Sequence, residues 1–105
     1  MKDHKGKARM SLVLRSLVEG TARVRGYGAD KYGDPENWKT VSDGLYWDAL
    51  LRHIYAAMDG EQLDKESGLP HLAHAACNVM FLLERQQKGI SVQSNNKGDA
   101  FLKKV

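Results

Sequence analysis

The spacing of apolar residues is the strongest constraint on what this chain can fold into. Three segments, residues 10–24, 42–58 and 70–88, place apolar side chains at i, i+3, i+4 and i+7, which is the spacing of one face of an α-helix. No segment alternates apolar and polar residues convincingly, as a half-buried β-strand does, and no internal repeat is present. The pattern predicts an all-α fold, a small bundle of three main helices.

Residues that begin and end helices support this division. Ser42 or Asp43 suits the N-cap of the second predicted helix, and Gly60 comes just past its end. Pro70 suits the first turn of the third predicted helix, and Gly89 suits its C-terminal end. The boundaries of these two helices are therefore predicted from both periodicity and capping.

The length of 105 residues allows one domain with a modest core. A bundle of this size buries little apolar surface per residue, so we expect it to be completed by association of identical chains. The chain is divided here into a flexible basic N-terminal arm (1–9), an all-α domain (10–90) and a polar C-terminal tail (91–105). A short apolar patch at 100–102 could dock on a neighbour.

The net charge of +3 does not by itself predict nucleic-acid binding, because of where the charges lie. Residues 10–90 carry nine Lys and Arg against eleven Asp and Glu, so the excess positive charge belongs to the two ends. We expect no nucleic-acid partner for the folded body. No run approaches the ~20 apolar residues that cross a bilayer, and residues 1–5 lack the apolar region of a secretory signal, so we expect neither membrane insertion nor export. The single Cys77 allows no disulfide framework, so a cytoplasmic protein is expected.

Two histidines and an asparagine form a polar stripe on the third predicted helix. His71, His74 and Asn78 lie at i, i+3 and i+7 on a segment that is otherwise nearly all apolar. A buried polar group without a hydrogen bond costs about 1–3 kcal/mol, so the stripe indicates a hydrogen-bond network, a ligand or a metal. A stripe that faces solvent or a polar interface is the open alternative.

The link before this helix, residues 59–68, is polar and acidic. Glu61 and Asp64 have the ExxD spacing that places two carboxylates on one side of a helical turn, and Glu66 follows. Clustered oxygens of this kind bind hard cations such as Mg²⁺ or Mn²⁺ together with substrate phosphates. A merely solvated acidic loop is the alternative, but His71 and His74 follow directly and favour a metal.

Residues 26–38 are predicted to form a loop, with at most one helical turn at 28–32, because glycines and an Asp-Pro pair provide turn chemistry. Aromatic side chains beside glycines could stack on a base while backbone N–H groups approach a phosphate. Capping of a small core is the alternative. The candidate substrate-binding residues in this loop are Tyr27, Lys31, Tyr32, Asn37 and Trp38.

The second predicted helix carries one further candidate. Arg52 is the one arginine between Arg25 and Arg85, and its helix has the pattern of a buried element. A guanidinium in that position suits a phosphate. An exposed ion pair with Asp48, one turn earlier, is the alternative.

Four motifs together carry a resemblance. They are YGADKYG at 27–33, NW at 37–38, RH at 52–53 and GEQLDKESGLPHLAHA at 60–75. This set resembles the phage-type dATP/dGTP diphosphohydrolase N-terminal family, which is grouped with the all-α NTP pyrophosphatases (MazG-like). The resemblance implies helical oligomers that cleave a nucleoside triphosphate to monophosphate and pyrophosphate with Mg²⁺ or Mn²⁺.

The chain departs from the MazG-like pattern in its metal ligands. Those enzymes carry an ExxE motif on one helix and an ExxD motif on a later one, whereas the first predicted helix here has only Glu19 and the third has neither motif. The metal would then lie on the acidic link or on the stripe of His71, His74 and Asn78. Without a metal, the chain would bind nucleotides and not cleave them.

The expected reaction is therefore metal-dependent hydrolysis of a purine deoxynucleoside triphosphate, in the host cytoplasm if the chain is phage-encoded. A non-catalytic protein of the same fold that sequesters nucleotides, and a structural adaptor that binds no nucleotide, are the alternatives. The candidate sets are, for catalysis, Glu61, Asp64 and His74; for the metal, Glu61, Asp64, Glu66 and His71; and for the substrate, the loop residues above with Arg52, His53 and Asn78.

Overall fold

The computed structural model describes residues 6–94 and confirms the all-α prediction. Three α-helices, α1 (Arg15–Tyr32), α2 (Asp43–Met58) and α3 (His71–Lys88), are joined by short connections. Two 3₁₀ helices, Met10–Leu12 and Asn37–Thr40, precede and follow α1. Within the described part of the chain, no helix is both long and apolar enough to cross a membrane.

The ends of α2 and α3 lie where the capping residues predict them. The Ser42 hydroxyl accepts a hydrogen bond from the backbone N–H of Leu45 at 3.4 Å, as an N-cap does. Pro70 directly precedes α3, and Gly89 ends it in the left-handed conformation, with φ at 66°. Local chemistry and periodicity therefore agree for these two helices.

The prediction for the first helix was wrong at both ends. It begins at Arg15 and continues through Gly26 and Gly28 to Tyr32. Residues 26–32 of the predicted loop 26–38 are therefore helical. A glycine inside a helix costs about 1 kcal/mol relative to alanine, which packing against another helix can offset. The helix ends only at Gly33, where φ is 72°.

A close approach between α1 and α3 supplies that packing. Gly20 faces Ala73, and a Cβ at position 20 would lie 3.3 Å from the Cβ of Ala73, closer than most such contacts. Further along α1, Val24 is buried in the core. A side chain at position 20 would push the two helices apart, so this glycine has a packing role despite its low helix propensity.

The core lies where α3 packs between the other two helices. Its aromatic centre is Phe81, whose ring stacks on Trp38 at 4.9 Å and lies 5.0 Å from the ring of Tyr46. Trp38 stands on the second 3₁₀ helix, so this short element is fixed to the bundle by an aromatic contact. The buried members of the cluster are Val24, Val41, Tyr46, Cys77, Phe81 and Leu82.

The apolar face predicted for the first helix is left uncovered in the single chain. Leu14 is 76% exposed, and Leu17 and Val18 are 52% and 57% exposed. The predicted helical periodicity is correct from Arg15, where α1 begins. The first turns of α1, however, lie beyond the part of this helix that α3 covers. These residues therefore belong to an exposed apolar surface and not to the core.

Arg85 connects three segments from a buried position near the C-terminal end of α3. Its guanidinium donates to the Asp43 carboxylate at 2.6 Å and to the Trp38 carbonyl at 2.8 Å. Burial alone would raise the pKa of Asp43, but hydrogen bonds from Arg85 and Ser91 outweigh it and hold this pKa below its usual value. The arginine thus joins α3, the start of α2 and the second 3₁₀ helix.

The chain after α3 returns to the same place. The backbone N–H of Asp43 donates to the Val92 carbonyl at 2.9 Å, and the Ser91 hydroxyl donates to the Asp43 carboxylate at 3.0 Å. The first residues of the predicted tail 91–105 therefore contact α2. The patch at 100–102 and the first five residues of the predicted arm 1–9 lie outside the described residues.

We expect the Arg85→Ala substitution to lower the free energy of unfolding by about 3 kcal/mol, because it leaves Asp43 without its buried cationic partner. Urea unfolding followed by circular dichroism measures this change. Arg15→Ala is the matched control, since Arg15 forms an ion pair with Glu19 at the surface and its loss should cost less than about 1 kcal/mol. Equal effects of the two substitutions would contradict the role assigned to Arg85.

Candidate functional site

The acidic link folds back on itself and holds its carboxylates against the start of α3. The backbone N–H of Asp64 donates to the Leu69 carbonyl, and the N–H of Gly68 donates to the Asp64 carbonyl, both at 2.8 Å. The Asp64 side chain accepts a further bond from the N–H of Ser67 at 2.8 Å. Gly68 has φ at 73°, a conformation that favours glycine at this turn. The link is therefore an ordered turn.

His71 stands at the first position of α3 and is 5% exposed. Its Nε2 lies 2.8 Å from a Glu61 carboxylate oxygen, so this nitrogen carries a hydrogen and donates it. Its Nδ1 lies 2.8 Å from Nδ1 of His53 on α2, and one hydrogen is shared between these two atoms. The contact fixes the orientation of both rings.

His74 completes a group of three imidazoles. Its Nε2 lies 2.7 Å from the Ser67 hydroxyl and 4.0 Å from an Asp64 oxygen, and its ring stacks on His53 at 4.5 Å. Burial, with the charges of the two neighbouring histidines, lowers the pKa of His53 to about 4. Burial also lowers the pKa of His74, so both rings are uncharged at neutral pH.

A second charged group comes from α1. Lys31 forms an ion pair with Glu66, and the hydroxyl of Tyr27 also bonds that carboxylate. The hydrogen bond from Lys31, followed by that from Tyr27, lowers the pKa of Glu66. Burial, followed by the contact with Glu66, raises the pKa of Tyr27 to about 12. The tyrosine therefore stays protonated and can donate.

Several of these groups border one cavity of about 130 Å³. His53, Asp64, Glu66 and His74 line it, together with aromatic side chains of the core cluster. A mostly apolar pocket with a few convergent polar groups is the usual form of a small-molecule site. Asp64 and Glu66 before Pro70 and His74 after it thus converge on a shared pocket, whereas Glu61 and His71, which bond each other, do not line it.

The cavity collects most of the sequence-predicted substrate residues. Lys31 lies beside it through its ion pair with Glu66. Arg52 is exposed and is not among the lining residues, so the structure does not bring it to the others. The predicted substrate residues that line the cavity are Tyr27, Tyr32, Asn37, Trp38, His53 and Asn78.

The predicted metal ligands are only partly brought together. Among the described residues, one group of three donors lies close enough to hold an ion, namely His53, Asp64 and His71, with ligand atoms within 4.8 Å of one another. Glu61 bonds His71 and Glu66 bonds Lys31, so the all-carboxylate set is not gathered in one place.

The donor chemistry of this group fits a divalent ion. His53 is uncharged at neutral pH, which is the form in which an imidazole binds a metal. Glu61 accepts from Nε2 of His71 and leaves Nδ1 on the side of the cluster, as carboxylates behind metal-binding histidines do. Two imidazole nitrogens with one carboxylate form a mixed set of nitrogen and oxygen donors.

Comparison with known proteins now identifies the family. The family model for dATP/dGTP diphosphohydrolase, N-terminal, matches residues 1–95. The chain belongs to this family. A protein named dATP/dGTP diphosphohydrolase from Salmonella phage PMBT28 is 38% identical over 82 residues, which is 78% of this chain and 28% of that protein. The resemblance found in the four motifs is therefore confirmed.

The family match covers an N-terminal unit. The chain spans little more than a quarter of the length of its phage relative. No solved structure matches the chain. The geometry described above therefore provides the structural view of the motif residues in this family member.

Two cavity residues, Arg25 and Gly28, and the hydrogen-bond partner of His74, Ser67, were missed by reasoning from sequence. Arg25 lines the cavity, and its guanidinium donates to the Pro35 carbonyl at 2.8 Å and lies 5.3 Å from the Phe81 ring centroid. Arg25, Gly28 and Tyr32 lie at i, i+3 and i+7, a spacing that would have placed them together had 26–32 been predicted as helix. Ser67, the partner of His74, had no comparable signal.

We expect stability to fall as the pH decreases from about 7 to about 5. The folded-state pKa of His53 is about 4 against 6.5 for the free side chain, so the unfolded chain binds the extra proton in this interval. After allowance for partial exposure the loss is roughly 2 kcal/mol, measured by urea unfolding at several pH values. His53→Gln should flatten the profile.

The carboxylates of the site act in a different pH interval. The pKa values of Asp64 and Glu66 lie below their usual 3.8 and 4.5, so the stability that they contribute is lost only as the pH falls below those values. A profile that is flat between pH 5 and 7 in the unsubstituted protein would therefore contradict the assignment to the histidines.

Proposed function

We propose that this chain binds a purine deoxynucleoside triphosphate in the cavity and hydrolyses it to monophosphate and pyrophosphate with a divalent metal. The observation that carries the proposal is the convergence of His53, Asp64 and His74 with an aromatic wall on one cavity. The name of the phage relative supports this substrate class. The reaction would take place in the host cytoplasm, where the nucleotide pool of an infected cell lies.

Cationic and aromatic side chains provide complementary binding. Lys31 and Arg25 are the cations that border the cavity, and they would offset the charge of the phosphates. Tyr27 and Tyr32 line the cavity and would present ring surface to a base, whereas Trp38 already stacks on Phe81 and forms the wall. Arg25 and Lys31 thus take the phosphate-binding role that the sequence suggested for Lys31 and Arg52.

His53, Asp64 and His71 would hold the metal, with Glu61 fixing the orientation of His71. A divalent ion in this position supplies a positive charge that polarises a phosphate oxygen and makes a bound water more acidic. The role proposed for Glu61 is therefore to position His71. This differs from the sequence-based expectation that Glu61 itself binds the metal.

His74 is the proposed general base. It is uncharged at neutral pH, lines the cavity and is oriented by Ser67 at 2.7 Å. It would accept a proton from the attacking water as the oxygen bonds to the α-phosphorus and the bond to the β-phosphate oxygen breaks. Pyrophosphate leaves with the electron pair of that bond, and Lys31 is placed to offset its charge.

Nucleotide binding without cleavage is the second candidate function. His53 and His71 are hydrogen-bonded to each other at 2.8 Å, so this part of the cluster satisfies its own polar groups without an ion. A protein of this kind would hold the intact nucleotide. Product analysis separates the two functions.

We expect Asp64→Asn to lower kcat/KM for dATP and dGTP by at least about 100-fold, because a metal-ligating charge is removed while the oxygen that accepts from Ser67 is kept. Asp48→Asn is the matched control, since Asp48 is an exposed acid on α2 and should leave the rate unchanged. Products are identified chromatographically, with folding checked by circular dichroism.

The same assay, repeated with different metals and with a chelator, tests whether the reaction depends on a metal. Mn²⁺ or Mg²⁺ should support the reaction. Equal rates in a strong chelator would show that the reaction does not use a metal. Recovery of intact nucleotide from a tight complex would favour the second candidate function.

We also propose that identical chains associate through the exposed apolar stripe of α3. Leu72, Val79 and Leu83 lie at i, i+7 and i+11 and are 63%, 46% and 51% exposed. Apolar residues that form one face of a helix are typical of an interface, and Leu17 on α1 adds to the uncovered surface. A second copy of the chain offers the same stripe, so a symmetric contact can bury both.

We expect sedimentation measurements to give a mass above that of one chain, and Leu83→Lys to weaken association more than about 10-fold, because it places a charge in the interface core. Met58→Lys, which places the same charge on an exposed apolar residue of α2 outside the stripe, is the matched control. Sedimentation as a single chain at every concentration would refute the association.

A further inference from the structure

Asn78 is buried in the wall of the cavity. It lies on α3 one turn after His74, retains 9% exposure and lines the cavity. Its neighbours in the wall, Cys77 and Phe81, belong to the hydrophobic core. The structure thus places an amide, with two donor hydrogens and an acceptor oxygen, in a mostly apolar wall.

Among the residues that the structure describes, its side chain has no hydrogen-bond partner. Across residues 6–94, no buried side-chain nitrogen or oxygen that is cut off from solvent lacks a partner. No hydrogen bond within that range engages the Asn78 amide, so its polar atoms are not cut off from solvent, and the residue lines the cavity. Six other polar side chains of the lining differ, since each already has a hydrogen bond within the protein: Tyr27, Tyr46, His53, Asp64, Glu66 and His74.

The position of the Asn78 amide relative to the charged groups indicates which part of a bound nucleotide it would contact. Phosphates belong beside Lys31 and the imidazole group, which leaves the apolar, aromatic region of the cavity for the base. One helical turn, about 5 Å along the axis, separates Asn78 from His74. A base bound there would present its edge to the amide.

We propose that Asn78 selects purines by donating a hydrogen bond from its amide to N7 of the base. The inference rests on the proposed nucleotide-binding function and goes beyond it by naming the residue and atom that determine base class. N7 is an acceptor in both adenine and guanine and is absent from pyrimidines. The amide oxygen can also accept from the adenine amino group, and the amide donors can also reach O6 of guanine.

A probe without N7 tests the proposal on the unsubstituted protein. Calorimetry compares α,β-methylene-dATP, which cannot be cleaved between these phosphates, with its 7-deaza counterpart in the presence of Mn²⁺. Loss of N7 should weaken binding about 10-fold, as expected for one buried hydrogen bond to a base. Equal affinities would overturn the role of Asn78 while leaving the proposed function intact. Absence of binding for both would overturn the proposed function and this inference with it.

Substitution assigns the effect to Asn78. In Asn78→Ala, the two analogues should bind equally, and the preference for the dATP analogue over the matching dCTP analogue should fall about 10-fold. Gln87→Ala, an exposed amide on the same helix, should keep the preference. Retention of the N7 effect in a folded Asn78→Ala protein would overturn the assignment.

Asn78→Asp distinguishes which edge of the base is read. A carboxylate only accepts, so on the N7 edge it tolerates the adenine amino group and repels O6 and N7 of guanine. The affinity ratio of the dATP analogue to the dGTP analogue should therefore rise. A ratio that moves towards guanine would indicate contact with its N1–H and amino group, and would overturn the N7 assignment.

Discussion

The hydrogen bonds that join the acidic link to the start of α3 determine the geometry of the whole site. Glu61 holds His71 from one side, and Ser67 holds His74 from the other, at 2.8 and 2.7 Å. His71 and His74 both stand in the first turn of α3, so the link fixes their rings at the end of the helix that precedes its buried core segment. His53 then packs against both rings from α2. A local turn thus organises three elements around one cavity.

The packing of the bundle supports this arrangement from its opposite end. Arg85 fixes the start of α2 and the second 3₁₀ helix to α3, so the wall formed by Trp38 and Phe81 is held by a buried guanidinium. The same helix therefore carries the imidazoles at its beginning, the cavity amide in its middle and the structural arginine near its end. A change in the position of α3 would alter the site and the core together.

Sequence reasoning succeeded where a local rule decided the structure. Ser42 and Gly89 mark helix ends by capping chemistry, and His71 and His74 share a face because of helical spacing alone. It failed for Gly26 and Gly28, whose low helix propensity is outweighed by the contacts of α1 with α3, which lie far away in sequence. Arg25 was missed for the same reason. The partnership of Ser67 with His74 depends on how the link folds back, which no spacing rule predicts.

The charge balance of the site explains why a cation and a nucleotide would bind together. His53 and His74 are uncharged at neutral pH, so the cations Arg25 and Lys31 face three carboxylates around the cavity, those of Asp34, Asp64 and Glu66, which leaves one negative charge in excess. A triphosphate alone would be repelled by this excess negative charge. A divalent ion reverses the sign of the field at the carboxylates and also binds phosphate oxygens. Cation and triphosphate should therefore bind with positive coupling, each increasing the affinity of the other.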